Sequence, residues 1–89
     1  MPYVAKEKRQ YLRPKFYDPA RNSGELNYQL TAVIQQYLHE LGKVRDIRYT
    51  DLNDVIGALE GAKLEFYRRV VVPYETTKIE INGDVSAPQ

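Results

Sequence analysis

Residues 23–42 read SGELNYQLTAVIQQYLHELG, and their apolar spacing decides the fold class. Leu26, Leu30, Val33, Ile34, Tyr37, Leu38 and Leu41 recur at steps of three and four. That period places them on one stripe of an α-helix. The expected helix runs Gly24–Leu41. Ser23 is its expected N-cap, because a hydroxyl there can accept from a free first-turn amide. Glu25 meets the positive end of the helix dipole. Gly42 is expected to close the helix in the left-handed conformation.

Downstream, a polar connector (43–49) precedes a second amphipathic segment, expected as a helix over Asp51–Val72. Thr50 is its expected N-cap, with Asp51 and Asp54 in the first turn. Leu52, Val55, Ile56, Leu59, Ala62, Lys63, Phe66 and Val70 mark its inner face, where Lys63 must snorkel. Glu65 and Arg69 form an i,i+4 ion pair in the favoured order. The β-branched run Val70–Val72 and the missing amide of Pro73 predict a stop or kink. Beyond it, Tyr74–Ile81 fits either a strand, from the alternation at 78–81, or a helix ended by Asn82-Gly83.

The fold predicted is all-α. An amphipathic helical hairpin (23–82) carries a kinked or broken extension after Pro73, with a disordered tail at 83–89. A basic segment at 1–22 precedes it. Lys6–Leu12 is expected as a short helix ended or bent by Pro14. That segment holds Lys6, Lys8, Arg9, Arg13, Lys15 and Arg21 against Glu7 and Asp18, a local excess of four positive charges. The whole chain carries only +1, so a dedicated nucleic-acid binder is not expected, and contact through 1–22 is a further alternative.

Size and composition limit the function. The 89 residues contain 43% hydrophobic and 28% charged residues and no cysteine, so disulfides and thiolate metal sites are excluded. Residues 1–22 show no apolar signal-peptide core and no apolar run reaches membrane-spanning length, so a cytoplasmic location is expected. Two helices bury too little on their own for a stable domain of this size, which predicts a homo-oligomer. The small residues Gly57, Ala58, Gly61 and Ala62 allow close backbone approach and are the expected interface, within the hairpin or between subunits, with a ligand-facing groove as a third alternative. A helical glycine costs about 1 kcal/mol against alanine, so two of them imply a compensating contact.

No catalytic constellation is present, and no enzyme, metal or cofactor is expected. His39 stands alone among polar positions. Ser23 and Ser86 have no histidine suitably placed, and the glycines match no phosphate-loop fingerprint. Glu60 and Glu65 lie five apart, on different helix faces. The unusual feature is tyrosine, with eight in the chain and no tryptophan. Arg48, Tyr67, Arg68, Arg69 and Tyr74 combine guanidinium forks with aromatic faces, the chemistry that holds a small anionic, nucleotide-like ligand. The expected function is therefore a non-enzymatic oligomeric binding protein for such a ligand. The alternative is an adaptor or inhibitor that docks on a host protein.

The strings Met1-Pro2-Tyr3-Val4, Gly24-Glu25-Leu26-Asn27-Tyr28, Asn53-Asp54-Val55-Ile56-Gly57, Leu59-Glu60, Lys63 to Arg69, Pro73-Tyr74-Glu75 and Asn82-Gly83-Asp84-Val85 resemble a family of small uncharacterised proteins of bacteriophages and bacteria. Residues 5–22 and 43–49 depart from that pattern. The resemblance implies a cytoplasmic or phage-infected-cell setting and a structural importance for the Pro73 segment. It carries no catalytic role.

Overall fold

The computed structural model describes residues 4–13 and 18–83; the tail expected as disordered beyond Gly83, and the parts of the basic segment at 1–3 and 14–17, lie outside them. Every regular element among the described residues is helical, in keeping with the all-α reading. No helix among them is long and apolar enough to cross a membrane. The chain divides into two compact units between Arg48 and Tyr49, in the middle of the segment expected as a hairpin.

The first unit holds α1 (Lys6–Leu12) and α2 (Ser23–Gly42). α1 has the expected bounds. Arg13 after it is extended (φ −64°, ψ 140°), the conformation that a following proline imposes. α2 corrects two cap assignments. Its N-cap is Asn22, not Ser23. Asn22 has the extended backbone that a cap requires, and its Oδ1 accepts the Glu25 amide at 2.8 Å. Its Nδ2 also donates to Glu25 Oε2 at 3.2 Å, and the Arg21 amide donates to Glu25 Oε1 at 3.1 Å. One carboxylate thus holds the entry from two sides, and a serine could supply only part of this network.

Gly42 ends α2 but is not left-handed; Gly83 is the one described glycine with positive φ. Lys43 remains right-handed helical, and the amides of Val44 and Arg45 both reach the Leu41 carbonyl, at 3.0 and 3.2 Å. Successive tight turns close the helix, so no left-handed residue is needed. Residues 46–48 are irregular.

In the second unit, residues 49–82 form one unbroken helical run. α3 (Tyr49–Phe66) passes through a π turn (Tyr67–Val71) directly into α4 (Val72–Asn82). α3 starts two residues before the expected Asp51, so Thr50 lies inside the first turn and is not the cap. Helix ends commonly shift by a residue or two in this way. Asp51 stays in the first turn, as expected, and is the one buried polar residue among those described.

Pro73 does not break the run, which corrects the expected stop. Its ring would clash with the carbonyl four residues back in a regular helix. The π turn precedes it, and there the Val72 amide reaches back five residues to the Tyr67 carbonyl. The wider turn takes up the misfit before the proline arrives. The Thr77 hydroxyl donates to the Pro73 carbonyl at 3.1 Å. Tyr74–Ile81, open between strand and helix, is helix. It ends at Gly83 (φ 86°, ψ 151°), whose amide donates to the Ile79 carbonyl at 2.8 Å. This backbone region is open only to glycine, so the Asn82-Gly83 stop is as expected.

No apolar side chain among the described residues is buried. Of the expected stripes, Ile34, Leu38, Leu41 and Val55 are half-buried and the other large apolar members are exposed. Lys63 does not need to snorkel: it extends into solvent and reaches Glu60 at 3.5 Å.

Candidate functional site

Four of the five predicted ligand-binding residues fall on and beside the π turn. Tyr67, Arg68 and Arg69 form its first three positions, and Tyr74 follows Pro73. Arg48 belongs to the other compact unit.

The contacts sort these residues into three groups. Glu65, in the last turn of α3, takes both arginines: Arg68 Nη2 donates to Oε2 at 2.6 Å, and Arg69 Nε donates to Oε1. The spacings are i,i+3 and i,i+4, the two that bring helix side chains together. The hydrogen bond from Arg68 is the main reason that the Glu65 carboxyl lies below its ordinary value; partial desolvation opposes this, and Arg69 adds to the lowering. Both guanidiniums remain open to solvent, 71% and 74% exposed. Exposed pairs of this kind contribute little to stability.

The second group is Tyr67 with Glu75, the hydroxyl donating to Oε1 at 3.4 Å. These residues are eight apart. In a regular α-helix the residue that returns to the same face two turns on is the seventh. The π turn between them holds one extra residue, so the eighth takes the seventh's place. The third group is Tyr74 under the Lys78 ammonium, 5.7 Å from the ring centre, within cation–π range. Tyr67 and Tyr74 are both well exposed.

The arrangement offers two solvent-open guanidiniums gathered by one carboxylate and, on the same helical run, two aromatic rings whose contacts go to Glu75 and Lys78. An incoming phosphate or carboxylate would compete with Glu65 for bidentate donors. Sequence reasoning missed the tyrosine contacts because neither the π turn nor its extra residue was anticipated. The signal available was Val70-Val71-Val72-Pro73, a β-branched run against a proline.

The predicted interface residues Gly57, Ala58, Gly61 and Ala62 all lie in α3. A β-carbon at Gly57 would meet nothing within 4 Å, so no close approach occupies that position in the described chain. Gly61 is half-buried. His39 is exposed on α2. Among the described residues, no group of three or more histidine, aspartate or glutamate side chains is placed to hold a metal ion.

These features define an all-α protein with no buried apolar side chain among the described residues and with arginines and tyrosines gathered along a π turn. The chain belongs to the family described as Domain of unknown function (DUF6899), matched over residues 1–85. The match includes residues 5–22 and 43–49, which the motif strings left out. No curated protein and no solved structure matches the chain.

Proposed function

We propose that this chain is a non-enzymatic helical binding protein that works as an oligomer. One observation supports the reading above others: among the described residues no apolar side chain is buried, while Leu26, Leu30, Val33, Leu52, Leu59, Phe66 and Val70 on the predicted faces are all exposed. Burying such a side chain contributes about 1.5–3 kcal/mol. Ordering each residue's backbone costs about 1–2 kcal/mol. Without covered apolar faces nothing offsets that cost, so the working form has its faces covered. Further copies of the chain supply that cover.

In this reading the ligand is small and anionic, of nucleotide type. Arg68 and Arg69 supply the donors and Tyr67 the ring face. The exposure of both guanidiniums favours this role. A bacterial or phage-infected cytoplasm is the setting that the motif resemblance implies. Native mass spectrometry of the purified chain tests both halves, the expected result being a multiple of the chain mass. Calorimetric titration with cyclic and linear nucleotides should then give heat that Arg68→Ala with Arg69→Ala removes. A single-chain mass overturns the oligomer; a mass multiple with no heat overturns the ligand class alone.

A second reading is favoured by the same exposed faces: a host protein, in place of further copies, covers them. It predicts a single-chain mass that shifts to a one-to-one complex with that protein.

A further inference from the structure

The apolar residues of the second unit follow a stricter pattern than a simple stripe. Leu52, Val55, Leu59, Ala62 and Phe66 alternate steps of three and four. That is the seven-residue repeat of a coiled-coil seam. The next member, Val70, comes four residues after Phe66 where three would continue the repeat. From Val70 the alternation resumes through Tyr74, Thr77 and Ile81. One residue too many therefore lies between Phe66 and Val70.

The backbone forms its π turn at this place, Tyr67–Val71. A π turn holds one more residue per turn than an α turn. It absorbs the extra residue, and the seam keeps its phase across it. The Tyr67–Glu75 contact at eight residues follows from the same one-residue shift. Thr77, the polar member, turns its hydroxyl back onto the Pro73 carbonyl, which leaves its methyl for contact.

Resting on the oligomer reading above, we infer that the seam Leu52–Ile81 is where a second copy of this chain packs, in parallel and in register. Length is the first argument. At about 1.5 Å per residue the seam spans roughly 44 Å, whereas α2 is only about 30 Å long. The chain's other long helix cannot cover it fully; the same seam on another copy can.

Charge is the second argument. Lys63 and Lys78 each follow a seam residue and lie along one flank, while Glu65 and Glu80 each precede one and lie along the other. Parallel copies set the basic flank of one against the acidic flank of the next, whereas antiparallel copies set like against like. The seam also places Leu52 and Leu59 at the first core position and β-branched Val55 and Val70 at the second. Leucine followed by a β-branched residue in this order favours more than two strands.

The chain has no cysteine, so one introduced thiol reports orientation. Leu52→Cys and Ile81→Cys would be prepared in the full chain and oxidised separately and as a mixture. Thr77→Cys serves as a variant of similar size in case either end variant fails to fold. The expected result is that each variant cross-links with itself, and that the Leu52→Cys and Ile81→Cys chains do not cross-link to each other. Cross-linking only in that mixture overturns the parallel arrangement. No cross-link in any variant whose native mass remains a multiple overturns the seam as the interface while leaving the oligomer standing. A wild-type mass of one chain overturns both. Deleting Arg68 in a chain that also carries Pro73→Ala shortens Phe66–Val70 to three steps and removes both the extra residue and the proline that needs a wider turn; the assembly is expected to keep its mass, and dissociation overturns the phase argument.

Discussion

Phe66→Ala is the substitution whose effect depends most on whether the seam is covered. Phe66 lies midway along the seam, immediately before the π turn, and is 59% exposed in the single chain. A phenylalanine side chain carries roughly 200 Å² of surface. The exposed share is then about 120 Å², and covering it at about 25 cal/mol per Å² contributes about 3 kcal/mol per copy. Alanine retains a small part of that, so the loss is about 2–3 kcal/mol per copy, or roughly 30- to 150-fold in association for each copy that packs there. If no partner covers the seam, the side chain already stands mostly in water. Its truncation then costs well under about 1 kcal/mol, in the range of ordinary surface changes. Sedimentation velocity over a dilution series separates the two cases. The wild-type chain should dissociate at a far lower concentration than Phe66→Ala, and its melting temperature should rise with concentration, as for any assembly coupled to folding. A dissociation midpoint that moves less than threefold, or a melting temperature independent of concentration in both proteins, would refute the reasoning.

Three other outcomes are expected. Asn22→Ala removes the acceptor for the Glu25 amide and the donor to its carboxylate, and should lower stability by about 1 kcal/mol in chemical denaturation, with Asn22→Asp recovering most of it. The Glu65 carboxyl is held below its ordinary value by Arg68 and Arg69, so its folded pKa lies under its unfolded one. Its small contribution is complete above the unfolded value and fades as pH falls through the folded one. Helicity followed by circular dichroism from pH 6 down to pH 2 should therefore decline less in Glu65→Gln than in wild type, and 1 M salt should erase the difference. Gly57→Ala meets open space in the single chain and lies off the seam, so it should stabilise α3 by about 1 kcal/mol in a thermal melt without changing the native mass; a fall in mass would return Gly57 to the interface.

Helices were legible where periodicity was long and caps were chemically specific. The seven apolar positions of α2 fix its phase whatever covers them, and Gly83 stops α4 because its backbone conformation excludes other residues. The N-cap of α2 was misplaced by one residue because Asn22 and Ser23 are both good caps, and the decision rests on Glu25 reaching back to Asn22 and Arg21. The Lys78–Ile81 alternation is too short to exclude a strand, and only its continuity with the π turn makes it helix. The Glu65–Arg68–Arg69 cluster follows from local spacing and was half visible as the Glu65–Arg69 pair. Tyr67–Glu75 was not visible, because a contact at eight residues requires knowing that the helix widens between them.

Pro73 carries the lesson of greatest consequence for function. Read alone, a proline after three β-branched residues marks the end of a helix. Read with the seam, the same stretch holds one residue more than a seven-residue repeat allows. Two local faults, an extra residue and a missing amide, meet within one turn, and a single π turn accommodates both. Were the extra residue absent, the proline would face a regular turn and bend the run away from any partner. Were the proline absent, the segment could relax to α and rotate Val70, Tyr74 and Ile81 by about 100° relative to the continuing seam, one residue's turn. The two features hold each other in place, and they do so beside Arg68, Arg69 and Tyr67. In the parallel arrangement every copy brings its own arginine–tyrosine cluster to the same height along the rod.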